Sequence, residues 1–137
     1  MAIRKYSGKT KTLYWKGDTA REVRDGGLVM LSDSATIVPL RNDSLDVPLG
    51  VARRNDTITD SAMVPVEVPV EEFVEWTFDV DSDAGLVDSD VGQNIAVDTT
   101  GGGSVLAGDS CGMRLDRNDV TFPLFRVTRV ISGTQGV

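Results

Sequence analysis

The chain has 137 residues and not one histidine. That removes Ser–His–Asp and Cys–His nucleophile systems, and it removes the commonest general acid/base at neutral pH. It has a single cysteine, Cys111, so no internal disulfide forms, and one thiolate without imidazole cannot supply an ordinary zinc site. Cys111 sits beside Gly112 with nothing to activate it, and reads as a small buried residue. No apolar run approaches the roughly 18 residues of a membrane span. The opening "MAIRKYSGKTKTLYWKG" has a charged start but no apolar stretch behind it, so no signal peptide is expected. These absences predict a soluble protein made in a reducing cytosol, without catalytic machinery and without a cofactor.

Charge of one sign is also missing over a long stretch. Between Arg54 and Arg114 there is no Lys or Arg, and positions 55 to 113 hold 13 acids. Residues 1 to 24 carry seven basic residues against Asp18 and Glu22. The chain therefore has a basic N-terminal segment and an acidic middle, with a net charge of −7. An acidic body argues against wrapping nucleic acid, because phosphate contacts need Lys and Arg across the footprint.

What is present is alternation. In "VPVEVPV" Val64, Val66, Val68 and Val70 share one face, with Pro65, Glu67 and Pro69 on the other. The parity continues in "VEWTFDV": Val74, Trp76, Phe78 and Val80 point one way, and Glu75, Thr77 and Asp79 point outward. Seventeen residues exceed an ordinary strand, so a bend at Glu71–Glu72 is expected, with a strand on each side. Pro65 and Pro69 lack the ladder donor, which suggests an edge strand or a short twisted one. "GLVMLSD" and "ATIVPL" read as a pair joined around Ser32–Ser34. "LDVPLGVA" alternates Leu45, Val47, Leu49 and Val51. "QNIAVDT" and "SVLAGDS" flank Gly101–Gly103 as a hairpin, and residues 122–132 form a last strand. "DTAREVRD" has room for a helical turn or two. No segment sustains a 3.6-residue stripe. The expected class is all-β, a single small barrel or sandwich domain over 17–137, preceded by an extended arm at 1–16.

Several candidate sites follow. "DVDSDAGLVDSD" places Asp79, Asp81, Asp83, Asp88 and Asp90 in twelve positions. Asp79, Asp81, Asp83 and Asp90 fit positions one, three, five and twelve of a calcium loop. Ala84 stands where that loop needs Gly, and the flanks are strands, so a solvated turn is the simpler reading and the metal assignment is none. "TTGGGSVLAGDS" is glycine-rich but lacks the Lys-Ser/Thr of a phosphate cradle. Glu71 and Glu72 are adjacent and point apart in a strand, which is poor geometry for shared acid/base work. The polar, basic arm interleaves Arg4, Lys5, Lys9, Lys11 and Lys16 with Tyr6, Tyr14 and Trp15. Those eight residues are the expected partner-binding set.

The series "GLVMLSDSATIVPL", "LGVARRNDTI", "MVPVEVPVEEFVEWTFDVDSD", "GQNIAVDTTGGGSVLAGDS" and "PLFRVTRVISGTQGV" resembles tailed-phage capsid decoration proteins, also called cement or head-stabilising proteins. The resemblance covers roughly residues 26 to 137. It implies a small β-barrel or β-tulip fold and a homotrimer on threefold or quasi-threefold capsid positions. It also implies an N-terminal arm that adds to the major capsid protein, and a place on the capsid exterior after synthesis in the host cytoplasm. Nucleic acid and membrane are not among the implied partners. Deletion of residues 2 to 16 is then expected to spare the fold and abolish binding. The alternatives are another virion component (tail tube, head–tail connector or fibre base), a soluble β-barrel binding module, and, last, a carboxylate enzyme.

Overall fold

The computed structural model describes residues 3–17, 23–32, 35–40, 47–55, 63–80, 85–98, 113–116, 125–132 and 135–137. Twelve strands appear among them: β1 (Arg4–Ser7), β2 (Thr10–Lys16), β3 (Leu28–Leu31), β4 (Ile37–Pro39), β5 (Gly50–Ala52), β6 (Met63–Pro69), β7 (Glu75–Asp79), β8 (Asn94–Asp98), β9 (Arg114–Asp116), β10 (Phe125–Arg126), β11 (Val130–Ser132) and β12 (Gln135–Gly136). The only helical element among the described residues is a 3-10 turn, Asp88–Asp90. The protein is all-β, as its alternation predicts.

The strands form three antiparallel sheets. Their orders are β1-β7-β12-β11, β10-β8-β9 and β2-β6-β5-β3-β4. Among the described residues no sheet closes into a barrel, although a parallel bridge from Gly17, just past β2, to Ile37 links the two outer strands of the five-stranded sheet. The smaller two are joined by a single parallel bridge, Val80 to Leu115, and by the chain running from β10 into β11.

The bend expected at Glu71–Glu72 is present. β6 ends at Pro69, β7 begins at Glu75, and the two lie in different sheets. The N-terminal segment follows the same bend. β1 pairs with β7 and β2 pairs with β6 over seven consecutive positions, from Thr10 opposite Pro69 to Lys16 opposite Met63. Residues 4–16 and 63–77 thus form one long ribbon, folded over between two sheets. Gly8 sits at the crease with φ +100°, where a Cβ would press on the Phe73 carbonyl and Val74 Cα at 3.0 Å. Only glycine adopts that backbone without strain.

This changes two readings of the sequence. Over its described residues, the segment expected as an arm is laid into the body as two strands, and Ile3, ahead of β1, is a core residue. Pro65 and Pro69 lie on a strand with neighbours on both sides, not on an edge. The reason is the shortness of β5. Arg53 N–H donates to the Pro65 carbonyl at 2.9 Å, so the proline parity faces β5, which pairs with β6 only at Val51–Glu67 and Ala52–Val66. The missing donors fall where few ladder bonds exist to lose.

Two apolar clusters hold the sheets. The larger draws on all three sheets, with Leu28, Met30 and Val51 from one, Trp76 and Phe78 from another, and Ile95, Val97 and Leu115 from the third. The smaller lies on the opposite face of the five-stranded sheet and contains Val23, Val29, Ile37, Ala52, Val64 and Val66. The five-stranded sheet therefore buries both faces. That is why "GLVM" and "IVPL" read as continuous apolar runs and not as alternation.

The hairpin read around Ser32–Ser34 joins β3 to β4. Ala35 takes φ 59° there, and Ala35 N–H donates to the Ser32 carbonyl at 3.1 Å. The single strand expected over 122–132 is instead two, β10 and β11, which belong to different sheets. The switch comes at Val127–Thr128. Val127 N–H donates to Gln93 O at 3.0 Å on one side, and Thr128 N–H donates to Val137 O at 2.7 Å on the other. The glycine-rich end returns as β12, between β7 and β11, and Val137 is buried. The Gly101–Gly103 hairpin, Leu45, Cys111 and most of "DTAREVRD" lie outside the described residues.

Candidate functional site

The residues singled out in the N-terminal segment sit on two outer strands, except Lys9, which lies between them. β1 is an outer strand of the four-stranded sheet, with β11 at the other side, and β2 an outer strand of the five-stranded sheet, with β4 at the other side. Arg4, Lys5, Lys9, Lys11 and Lys16 are all exposed. Tyr14, 60% exposed, stands opposite Pro65 on β2, next to the Lys16–Met63 pair. Trp15 alternates to the other face and packs on the smaller core cluster, so its role is in folding. Tyr6 bulges from β1 between Lys5 and Ser7 and lies under the Arg129 guanidinium, 5.6 Å from its ring centre. The structure therefore splits the eight residues into an exposed basic set with Tyr14, and two aromatics engaged by the body.

Two carboxylates fasten this ribbon. Glu67 accepts from Arg53 Nη2 at 2.6 Å and Nε at 2.8 Å, and from the Thr10 hydroxyl at 2.7 Å. Arg53 reaches on to the Ile3 carbonyl at 2.8 Å. Burial pushes the Glu67 carboxyl up, but the Thr10 and Arg53 hydrogen bonds and the Arg53 charge outweigh it and hold its pKa below the ordinary 4.5. Glu75 accepts from the Ser7 hydroxyl at 2.6 Å and the Thr128 hydroxyl at 2.7 Å, with Arg129 Nε at 3.5 Å. The Ser7 bond first, then Thr128 and Arg129, lower its pKa as well. The outward parity read for Glu75 holds, but its side chain is buried, since Ser7 on β1 and Thr128 after β10 close over it. Nothing local in "VEWTF" announces partners 68 and 53 residues away. The exposed Lys9–Glu71 pair, at 3.9 Å, contributes little.

A pH dependence follows. Both folded-state pKa values lie below the ordinary 4.5, so their stabilisation is full above that value and is lost as pH falls through the lower, folded pKa. Denaturation midpoints are expected to be level between about pH 6 and 8 and to fall below about pH 4.5. Glu75→Gln is expected to flatten the acid limb, which urea titrations over that range measure. An unchanged acid limb in the variant counts against the Glu75 assignment.

The acidic loop divides. Asp90 is buried, and its carboxylate accepts the Val87 N–H at 2.8 Å while Asp90 N–H donates to Val87 O at 2.9 Å. That reciprocal closure of the 3-10 turn accounts for Asp90 without a cation. Asp79 lies on β7 opposite Gln135, and Asp88 is exposed. Asp81 and Asp83 lie outside the described residues. Among the described residues no cluster of three acidic or thiol side chains is arranged to hold a metal. No helix among them is long and apolar enough to cross a membrane.

Fold and site define a small all-β protein, two of whose sheets end in exposed, basic outer strands built from the N-terminal segment. No family model, no characterised protein and no solved structure matches the chain.

Proposed function

We propose that the chain is a non-enzymatic virion structural protein that binds the outer face of a tailed-phage capsid and stabilises the shell by bridging major capsid protein subunits. The observation that carries this reading is the placement of Arg4, Lys5, Lys11 and Lys16 along the two outer strands β1 and β2, with Lys9 between them, all exposed. An outer strand offers a row of backbone donors and acceptors to a partner strand, and its lysines favour an acidic partner while discouraging indiscriminate pairing. The acidic remainder of a chain of net charge −7 then faces solvent. In this reading the three sheets form a β-tulip-like body, and three copies share a threefold capsid position. Each copy stabilises the shell by binding only its assembled form, and many copies multiply a modest contact.

The test is co-sedimentation of the purified protein with shells of the major capsid protein of the same virus. Charge reversal at Lys11 and Lys16, with Tyr14→Ala, is expected to weaken binding about 100-fold at physiological salt and to leave the denaturation midpoint unchanged. Full shell binding by that folded variant sinks the proposed surface. Light scattering gives the oligomeric state alongside, with three times the chain mass expected whether or not millimolar calcium is present.

A further inference from the structure

β12 lies between β7 and β11, pairing Gly136 with Phe78 on one side and with Val130 on the other. Both flanking lines continue past it. On the side away from β1, residues 74–77 have no strand partner among the described residues. Among the described residues, 125–127 pair only with the β8 side, through Phe125–Ile95, Arg126–Asn94 and the Val127–Gln93 bond. Between these two unpaired edges lies a cavity of about 170 Å³. Trp76 and Phe78 line one wall, Phe125 and Val127 the other, and Val137 its end. Glu75 alternates to the face opposite Trp76 and Phe78, so its hydrogen bond to Thr128 crosses the gap above an apolar floor.

We propose that this gap is a strand-acceptor slot. It takes an extended segment of a partner polypeptide, running on in the direction of β12 and antiparallel to β7, with one bulky apolar side chain seated in the cavity. Three features select that occupant. Backbone edges on both sides call for main-chain donors and acceptors spaced as in a strand, which a small molecule does not supply. From Thr77 to Val74 the slot runs about 10 Å, room for three or four residues. The cavity, walled by aromatic rings, is close to the roughly 150 Å³ that accepts a benzene ring, so it suits one large side chain. Charge sets the flank. Glu75 is already answered by Ser7, Thr128 and Arg129, whereas Arg126 is exposed at the lip. The occupant's C-terminal end comes to Arg126, where an acidic residue is favoured. The slot is distinct from the β1 and β2 edges and does not depend on the virion reading.

The probes are capped peptides of about six residues, rich in threonine, with Phe, Trp, Leu or Val at one central position and two aspartates at the C-terminal end. Binding is followed by Trp76 fluorescence in a Trp15→Phe background and by amide exchange. At least one peptide is expected to bind saturably and protect amides at 74–77 and 125–128. N-methylation at alternate peptide positions is expected to weaken it more than tenfold. Arg126→Glu, an exposed change that spares the fold, is expected to weaken these peptides about tenfold and not control peptides of the same sequence with two lysines in place of the aspartates. The proposal is overturned if no peptide in the set saturates, if N-methylation leaves affinity unchanged, or if the protected amides lie along β1 or β2.

Discussion

Gly50→Ala is expected to cost about 3 kcal/mol of unfolding free energy, among the largest losses for any single methyl added to this chain. Gly50 opens β5, between β3 and β6, opposite Val29. A Cβ at this position overlaps the backbone carbonyl of Glu67 and comes within 3.0 Å of Val66 Cγ1. The obstacle is backbone, so no rotamer change relieves it. β5 has to move off β6, and with it goes the strand pairing between the β2-β6 and β3-β4 halves of the five-stranded sheet, leaving the isolated Gly17–Ile37 bridge to link them. The shift also pulls Arg53, which follows β5, from Glu67 and from the Ile3 carbonyl. Gly92→Ala supplies the contrast. Gly92 has φ +88° but nothing within 4 Å of its Cβ, so only backbone strain of about 1 kcal/mol is at stake. Urea melts of the two variants separate the effects, and equal losses would falsify the packing account.

Deletion of residues 2 to 16 is expected to abolish cooperative unfolding, not to release a dispensable arm. The deletion removes two outer strands and Ile3, which is 1% exposed. Losing a buried isoleucine alone costs about 2–5 kcal/mol. Beyond that, β6 loses its seven-position partner, and Leu13 and Trp15 no longer flank the buried Val66 and Val64. Glu67 loses the Thr10 hydroxyl, and Glu75 loses the Ser7 hydroxyl from a buried carboxylate. A buried charge stripped of a partner is costly to keep. The sum reaches about 5 kcal/mol or more, the scale of a whole domain's margin. Far-UV dichroism during a thermal ramp measures it. A truncated chain that melts sharply near the full-length midpoint restores the separable arm. It follows that binding by the N-terminal segment is tested with surface substitutions, since truncation confounds binding with folding.

Local pattern was enough to read that the chain is β-rich, where the 63–80 segment alternates, that it bends at Glu71–Glu72, and that the strands on either side of Ser32–Ser34 pair with each other. These are local properties. Side-chain alternation is imposed by strand geometry over a few residues, and paired charges and small polar residues interrupt it where they stand. The absence of histidine likewise excluded whole classes of chemistry before any fold was known. Tertiary structure decided everything that rests on pairing between distant segments. Alternation names two faces but not what covers each, so Glu75 falls on the face opposite Trp76 and Phe78 with no sign that Ser7 and Thr128 enclose it there. Basic, polar residues marked 1–16 as an arm because an outer strand and a free arm have the same composition. Only the pairing of β2 with β6, about fifty residues away, separates the two. The strand read over 122–132 keeps its extended backbone, yet its hydrogen bonds pass from Gln93 to Val137 at one step. No residue type encodes that exchange of neighbours. It arises because β12 folds back between β7 and β11, and the same placement leaves the gap beside Trp76 and Phe125.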